Sequence, residues 1–174
     1  DSDRIPDFLE DTNRDGRFSS GETNAWLSDT DCDRLAGGRE DRNHNGILNS
    51  TETNPRRRDT DGDGLEDGVE DANHNGVWDQ GVETHPLLID TDGDRIPDGV
   101  EDKNQNGVVD GFVDANSNGC WEDGEAAGES DPRLRDSDAD GIADEIEDSN
   151  KDGECLRAIR PDILLPQGSS LTLV

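Results

Sequence analysis

The run Asp59-Thr-Asp-Gly-Asp-Gly-Leu-Glu-Asp-Gly-Val-Glu70 carries a carboxylate at its first, third, fifth, ninth and twelfth places, and imperfect copies start at Asp29, Asp59 and Asp90, about thirty residues apart. Unit charges about 4 Å apart repel by roughly 1 to 4 kcal/mol per pair in wet surroundings, so no compact arrangement of this ladder is tolerable without something that draws the carboxylates together. Glycine recurs at fixed offsets as well; Gly64, at the sixth place, permits the sharp turn that converges the acids. Fixed placement separates this pattern from an acidic tail that only repels and solvates.

Composition makes the same demand. The 174 residues are 35% charged and 27% hydrophobic, with a formal net charge of -29 and a pI near 4.1. That balance is the signature of a chain unable to bury an apolar core. About ten divalent ions would supply roughly +20 of compensating charge, so metal binding and folding are expected to be coupled. The same charge argues against a nucleic-acid partner, which needs clustered Lys and Arg. No signal peptide or membrane span is read from the sequence, and membrane insertion is not expected. The chain opens inside a repeat, and an upstream part is expected to lie outside this segment.

Calcium takes six to eight oxygens at flexible geometry, and twelve-residue loops supply them from places 1, 3, 5, 7 (a backbone carbonyl), 9 and 12. The aspartate-rich loops then offer Asp29, Asp31, Asp33, Leu35 and Glu40; Asp59, Asp61, Asp63, Leu65, Asp67 and Glu70; Asp90, Asp92, Asp94, Ile96, Asp98 and Glu101; and Asp136, Asp138, Asp140, Ile142, Asp144 and Glu147. A first copy lacking two places offers Asp1, Asp3, Asp7 and Glu10. Arg34 and Arg95 stand where Gly64 does.

A second, asparagine-rich loop follows most of these without a gap. Its copies offer Asp11, Asn13, Asp15, Arg17, Ser19 and Glu22; Asp41, Asn43, Asn45, Ile47, Asn49 and Glu52; Asp71, Asn73, Asn75, Val77, Asp79 and Glu83; and Asp102, Asn104, Asn106, Val108, Asp110 and Asp114. Amide oxygens lower the local charge and limit repulsion with the neighbouring loop. In the last two copies the closing acid, Glu83 or Asp114, falls one place late, which leaves the closing ligand open. An insertion of about fifteen residues before Asp136 carries its own loop, Asp114, Asn116, Asn118, Glu122 and Glu125. A final loop keeps Asp148, Asn150 and Asp152 but no acid at places 9 and 12, and is expected to be weak.

Linkers after the paired loops share a motif: Glu22-Thr-Asn-Ala25, Glu52-Thr-Asn-Pro55, Glu83-Thr-His-Pro86 and, more loosely, Glu129-Ser-Asp-Pro132. Proline, and the local bonding of Thr, Asn and Asp, make these turns and exclude long helices and central strands. A single helical turn is expected at the end of each aspartate-rich loop, with Leu65 and Val69, Ile96 and Val100, and Ile142 and Ile146 making small apolar contacts. Trp26, Trp78 and Trp121 read as packing anchors between repeats. EF-hands need a flanking helix on each side of the loop, and Glu70, Glu101 and Glu147 are followed at once by the next loop.

On these residues the chain resembles thrombospondin type 3 repeats, over roughly 1–153. The resemblance implies a mostly irregular polypeptide with little regular secondary structure, wrapped around a row of calcium ions that acts as its core. Ligation by the Asp, Asn and Glu places just named carries over. The short linkers and few cysteines look more like the repeats of bacterial surface proteins. The expected architecture is therefore a calcium-cored tandem-repeat rod over 1–153, with short helical turns and an insertion about 111–135. A segment of different character follows at 154–174, where Leu171-Thr-Leu-Val174 alternates like a strand. That segment reads as the start of another domain or as a strand added to a neighbouring subunit, giving a possible homo-polymer.

Cys32, Cys120 and Cys155 are an odd set with no zinc or redox spacing; a Cys120–Cys155 disulfide is the favoured pairing, though connectivity stays open. His44, His74 and His85 fall at non-ligand places, and no nucleophile, base and orienting residue can be assembled, so the chain is not read as an enzyme. Arg56, Arg57 and Arg58 offset nearby acid. Asn49-Ser-Thr51 matches a glycosylation acceptor, in conflict with a ligand role for Asn49. Two functions fit: an extracellular or cell-surface spacer or fibre subunit stiffened by calcium, and a dockerin-like or EF-hand-like module that recognises a protein partner when calcium is bound.

Overall fold

Among the described residues, five helical turns of four residues each punctuate otherwise irregular backbone: α1 (Asp7–Glu10), α2 (Gly37–Glu40), α3 (Asp67–Glu70), α4 (Asp98–Glu101) and α5 (Asp144–Glu147). The computed structural model describes residues 1–110, 129–137, 139 and 141–148. Every turn occupies places 9 to 12 of an aspartate-rich loop, as the sequence predicts. The residue before each is extended, Pro6, Ala36, Glu66, Pro97 or Ala143, with φ between -67 and -83. Proline suits that place, because its fixed φ and missing N–H cost nothing there. One residue after each turn the backbone leaves the helical region, with φ between -80 and -86 and ψ between 71 and 80, so the helix stops after a single turn. The described residues hold no strand beyond an isolated bridge between Gln80 and Glu83. None of their helices is long and apolar enough to cross a membrane.

Successive repeats stack through glycine. A Cβ at Gly38, Gly68 or Gly99, the tenth place of its loop, would lie under 3.0 Å from the backbone carbonyl of Asp3, Asp33 or Asp63, the fifth place of the loop before. Only glycine lets the helical turn of one repeat lie this closely on its predecessor. The asparagine-rich loops make a second contact: Gly76 approaches the carbonyl of Arg39, and Gly107 approaches Val69.

Between these contacts the buried apolar side chains are few: Ile5, Leu35, Leu65 and Ile96, one from the seventh place of each successive loop, and Val69. Leu65 and Val69 are both buried, and Ile96 is buried beside a half-buried Val100. The third expected pair fails: Ile142 is half-buried and Ile146 is 64% exposed. Its place, the eleventh, is covered elsewhere by the asparagine-rich loop one repeat further on, and no such loop follows α5 among the described residues.

Trp78 packs within its own loop and the linker after it, with its indole N–H donating to the Glu83 carbonyl at 3.1 Å and its ring 4.5 Å from that of His85. Trp26 does not; it is 67% exposed. The position equivalent to Trp26 is arginine in two other linkers. There Arg56 donates to the carbonyl of Gly21 and Arg133 to that of Val82 at 2.8 Å, each reaching back to the preceding repeat. Arg58 pairs with Glu66 at 2.5 Å, and Arg57 donates to the Thr60 carbonyl at 2.8 Å. Trp121 and the segment 154–174 lie outside the described residues.

Replacing Gly68 with alanine should cost about 1 to 3 kcal/mol by forcing the repeats apart. Replacing Trp26 with alanine should change stability by under about 0.5 kcal/mol, both read by urea unfolding in calcium-containing buffer.

Candidate metal centre

In the loop from Asp59 the backbone fixes the outer oxygens of each aspartate. Asp59 accepts from the N–H groups of Gly62 at 2.6 Å and Gly64 at 3.2 Å, Asp61 from Asp63 at 3.2 Å, and Asp63 from Leu65 at 2.7 Å. Asp59 thus has both oxygens held, the second oxygen of Asp63 accepts from the Gly99 N–H of the next repeat at 3.2 Å, and that of Asp61 is left over. Asp61 Oδ2 and both oxygens of Glu70 are buried without a hydrogen-bond partner. Asp29, Asp31 and Asp33 converge likewise, as do Asp59, Asp61 and Asp63, each set offering oxygens within 4.8 Å of one another.

The ninth place behaves differently from the sequence expectation. Asp67 gathers with Asp33 and Glu40 of the preceding loop, and Asp98 with Asp63 and Glu70, again within 4.8 Å. The hydroxyl and N–H of the second-place residue clamp each of these acids. Thr60 holds Asp67 at 2.6 and 2.7 Å, Thr91 holds Asp98 at 2.6 and 2.8 Å, and Ser137 holds Asp144 at 2.6 and 3.0 Å. Asp144 in turn helps raise the carboxyls of Asp92 and Asp94, and Arg95 pairs with Glu145 at 3.0 Å. The loop from Asp136 therefore stacks on the loop from Asp90 despite the insertion between them.

The glutamates at the twelfth place, Glu10, Glu40, Glu70 and Glu101, are at most 2% exposed, and neither oxygen of any of them has a well-formed hydrogen bond; the hydroxyls of Thr23, Thr53 and Ser130 offset the effect of burial only in part at Glu10, Glu40 and Glu101. Burial, reinforced by the neighbouring aspartates, pushes Glu40 up to about 10, Glu70 to about 11 and Glu101 to about 9. Burial also lifts Asp31, Asp92 and Asp98 to about 7, and Asp33, Asp63 and Asp67 to about 6. Glu10 is raised by burial and Asp3. Exposed acidic clusters are common on proteins; a carboxylate sealed from water and given no well-formed hydrogen bond is not. The donor set is oxygen alone, with no thiol or imidazole in it, which fits a hard cation of the calcium or magnesium type.

The asparagine-rich loops close by themselves. Asp41 accepts from Asn45 at 3.2 Å and Gly46 at 2.7 Å, and Asp71 from Asn75 at 3.1 Å and Gly76 at 2.6 Å. Glu52 takes the side chains of Asn43 at 2.6 Å and Asn49 at 2.7 Å, while Asn49 also donates to the Ile47 carbonyl at 2.8 Å. Glu22 accepts from Ser19 at 2.6 Å and Asn13 at 3.0 Å, and the Ser19 hydroxyl leads in holding it below the usual carboxylate range. Asp11 accepts from Asp15 and Gly16, and Asp15 from Arg17, whose side chain is exposed like those of Ile47, Val77 and Val108.

The closing acid left open by the sequence resolves for two loops. Glu83 reaches the side chain of Asn73 at 2.6 Å and the N–H of Asp79 at 3.2 Å. In the loop from Asp102 the closing acid is Glu129, which accepts from the N–H groups of Asn104 at 3.2 Å and Asp110 at 3.1 Å. Within that loop Asn104 and Asn106 both donate to Asp110. Glu129 was not among the candidate ligands, although the linker motif had already aligned it with Glu22, Glu52 and Glu83.

Asp1 converges with Asp3 and Glu10. Asp7 begins α1, Asp90 accepts from Gly93 and Arg95, Ile96 is fully buried, and Asp136, Glu147 and the buried Asp148 close the described array. Asp114, Asn116, Asn118, Glu122, Glu125, Asp138, Asp140, Asn150 and Asp152 lie outside the described residues, as do Cys120 and Cys155; Cys32 is a free, exposed thiol. His44 and His74 contact the carbonyls of Gly38 at 3.0 Å and Arg34 at 2.9 Å.

Comparison of the chain with protein-family models, curated proteins and solved structures finds no match.

Two outcomes follow from this geometry. Glu129→Ala should speed amide exchange at Gly107 and Val108 by at least about tenfold by opening the loop from Asp102, whereas Asp114→Asn should leave those amides unchanged. In chelator, Glu40, Glu70 and Glu101 hold protons in the packed chain far above their ordinary value of 4.5. The packed state therefore binds more protons than the expanded one, and their contribution to stability is fully present below about 4.5 and lost as pH rises through about 9 to 11. Solution scattering without metal should accordingly show a smaller radius of gyration at pH 4 than at pH 8.

Proposed function

We propose that the chain is a calcium-binding structural protein: an extracellular or cell-surface spacer whose tandem repeats are stiffened into a rod by a row of calcium ions, as a stalk or as a subunit of a fibre. One observation carries the reading. Every aspartate-rich loop from Asp1 to Glu101 ends in a glutamate buried among other acids with no well-formed hydrogen bond to either oxygen. A divalent cation supplies the missing partner for several such oxygens at once. Calcium suits the sites better than magnesium, because it accepts many carboxylates at irregular angles whereas magnesium demands octahedral geometry and retains water. Many tandem sites of modest affinity are constitutively filled where calcium is millimolar, which is the reason for the extracellular assignment.

The arrangement favours a spacer over a switch. A sensor exposes a partner-binding face when few, tight sites fill. Here the converging acids join one repeat to the next, so filling them ties repeats together.

Calcium titration followed by circular dichroism and solution scattering tests the reading. An expanded chain in EDTA should become compact or rod-like in millimolar calcium and expand again on chelation, because binding free energy is folding free energy when no site exists beforehand. Identical scattering profiles with and without EDTA at pH 7 would refute it.

A further inference from the structure

Three of the joints between successive aspartate-rich loops share one construction, and the first of them departs from it at the incoming ninth place. The second joint brings Asp67 of the incoming turn to Asp33 and Glu40, and the third brings Asp98 to Asp63 and Glu70. In the first joint the acceptor side is intact, with Asp1, Asp3 and Glu10 converging and Glu10 1% exposed with no well-formed hydrogen bond to either oxygen. The incoming ninth place, however, is Gly37, whose Cβ would lie 3.2 Å from Asp3 Oδ2.

The fittings for a carboxylate are retained there. In the later loops the second-place hydroxyl accepts from a linker N–H and donates to the ninth-place acid. Asn54 donates to Thr60 at 2.8 Å and His85 to Thr91 at 2.8 Å, and these threonines hold Asp67 and Asp98. Thr30 accepts from Asn24 at 2.9 Å in the same way, and its loop offers no ninth-place carboxylate for it to hold. Gly38, beside Gly37, still presses on the Asp3 carbonyl as Gly68 and Gly99 press on theirs. The backbone stacking is thus common to all three joints, while the incoming ninth-place carboxylate is gone from the first.

We infer that Gly37 makes the joint at Asp3 and Glu10 the weakest of these three divalent-cation sites between repeats, so that it fills last of the three as calcium rises and loosens first among them as calcium falls. This rests on the calcium reading given above. Calcium affinity follows the number of charged ligands a loop supplies, and one carboxylate fewer should raise the calcium needed by about tenfold. A joint that opens before its neighbours gives an otherwise stiff array one calcium-dependent hinge near its first helical turn.

The tenth-place glycines provide matched reporters. In the full chain labelled with 15N-glycine, the amide resonances of Gly38, Gly68 and Gly99 follow the three joints during one calcium titration. The midpoint for Gly38 should lie about tenfold above those for Gly68 and Gly99. Gly37→Asp should bring it down to theirs, since Thr30 is placed to receive the new carboxylate, while leaving Gly99 unmoved. Should Gly37→Asp disturb folding, Asp98→Gly provides the reverse test: it should raise the midpoint of Gly99 by a similar factor and leave Gly38 where it was. Equal midpoints in the parent chain, or an Asp98→Gly chain whose Gly99 midpoint does not move, would overturn the inference while the calcium reading stands. Glycine resonances that ignore both calcium and EDTA would overturn both.

Discussion

Carboxylates facing one another out of reach of water are the constraint around which this chain is organised. Glu40, Glu70 and Glu101 lie in the interior with no well-formed hydrogen bond, each within the field of several aspartates. At ordinary pH a bare chain has two ways to relieve that repulsion: take up protons, or separate the loops. Separation is easy, because the apolar contribution holding them is a handful of side chains such as Leu35, Leu65 and Ile96. Packing and ion binding are therefore one process under the proposed reading. A ligand set that costs several kcal/mol to assemble alone becomes, once bridged, the strongest cohesion the repeats possess.

The two loop types divide this task. Asparagine-rich loops satisfy their closing glutamates with their own amides, as Asn43 and Asn49 do for Glu52, and so hold their shape with little outside help. Aspartate-rich loops spend their backbone N–H groups on one oxygen of an aspartate such as Asp61 or Asp94 and leave the other, with both oxygens of the closing glutamate, without a well-formed bond. Alternation keeps the unsatisfied clusters apart along the chain. It also places a self-supporting loop beside each demanding one, where Gly76 and Gly107 fasten it to the repeat before.

Much of this was legible in the sequence, and the reason is local. Twelve-place spacing determines which acids converge within a loop, proline and glycine determine where the backbone turns, and the single helical turns follow from both. What spacing could not reveal was which repeat a side chain serves. Asp67 and Asp98 fit a ligand place in their own loops, yet Thr60 and Thr91 clamp them beside the preceding glutamates. Nothing within a twelve-residue window distinguishes the two destinations, because the choice is made by stacking. Glu129 was hidden by distance along the chain, though not by chemistry: its linker neighbours already marked it as the counterpart of Glu83. Ile146 was misjudged because four-residue spacing shows that two side chains share a face, not that anything covers it.

Stacking by nearest neighbours also explains how the array absorbs its irregularity. Each joint needs the fifth and twelfth places of one loop and the ninth and tenth of the next. It is indifferent to what the chain does between Asp110 and Glu129, provided that the two ends return to within a hydrogen bond, as Glu129 N–H does to the Asp110 carbonyl at 2.9 Å. Closing a longer loop costs only a logarithmic entropy increment, so an insertion there is cheap compared with the loss of one bridging carboxylate. Arg133 and Arg95 cross that boundary to Val82 and Glu145, restoring the register on the far side. The stability of such a chain is set joint by joint. A substitution's effect then depends less on how deeply it is buried than on whether its carboxylate is shared between two repeats.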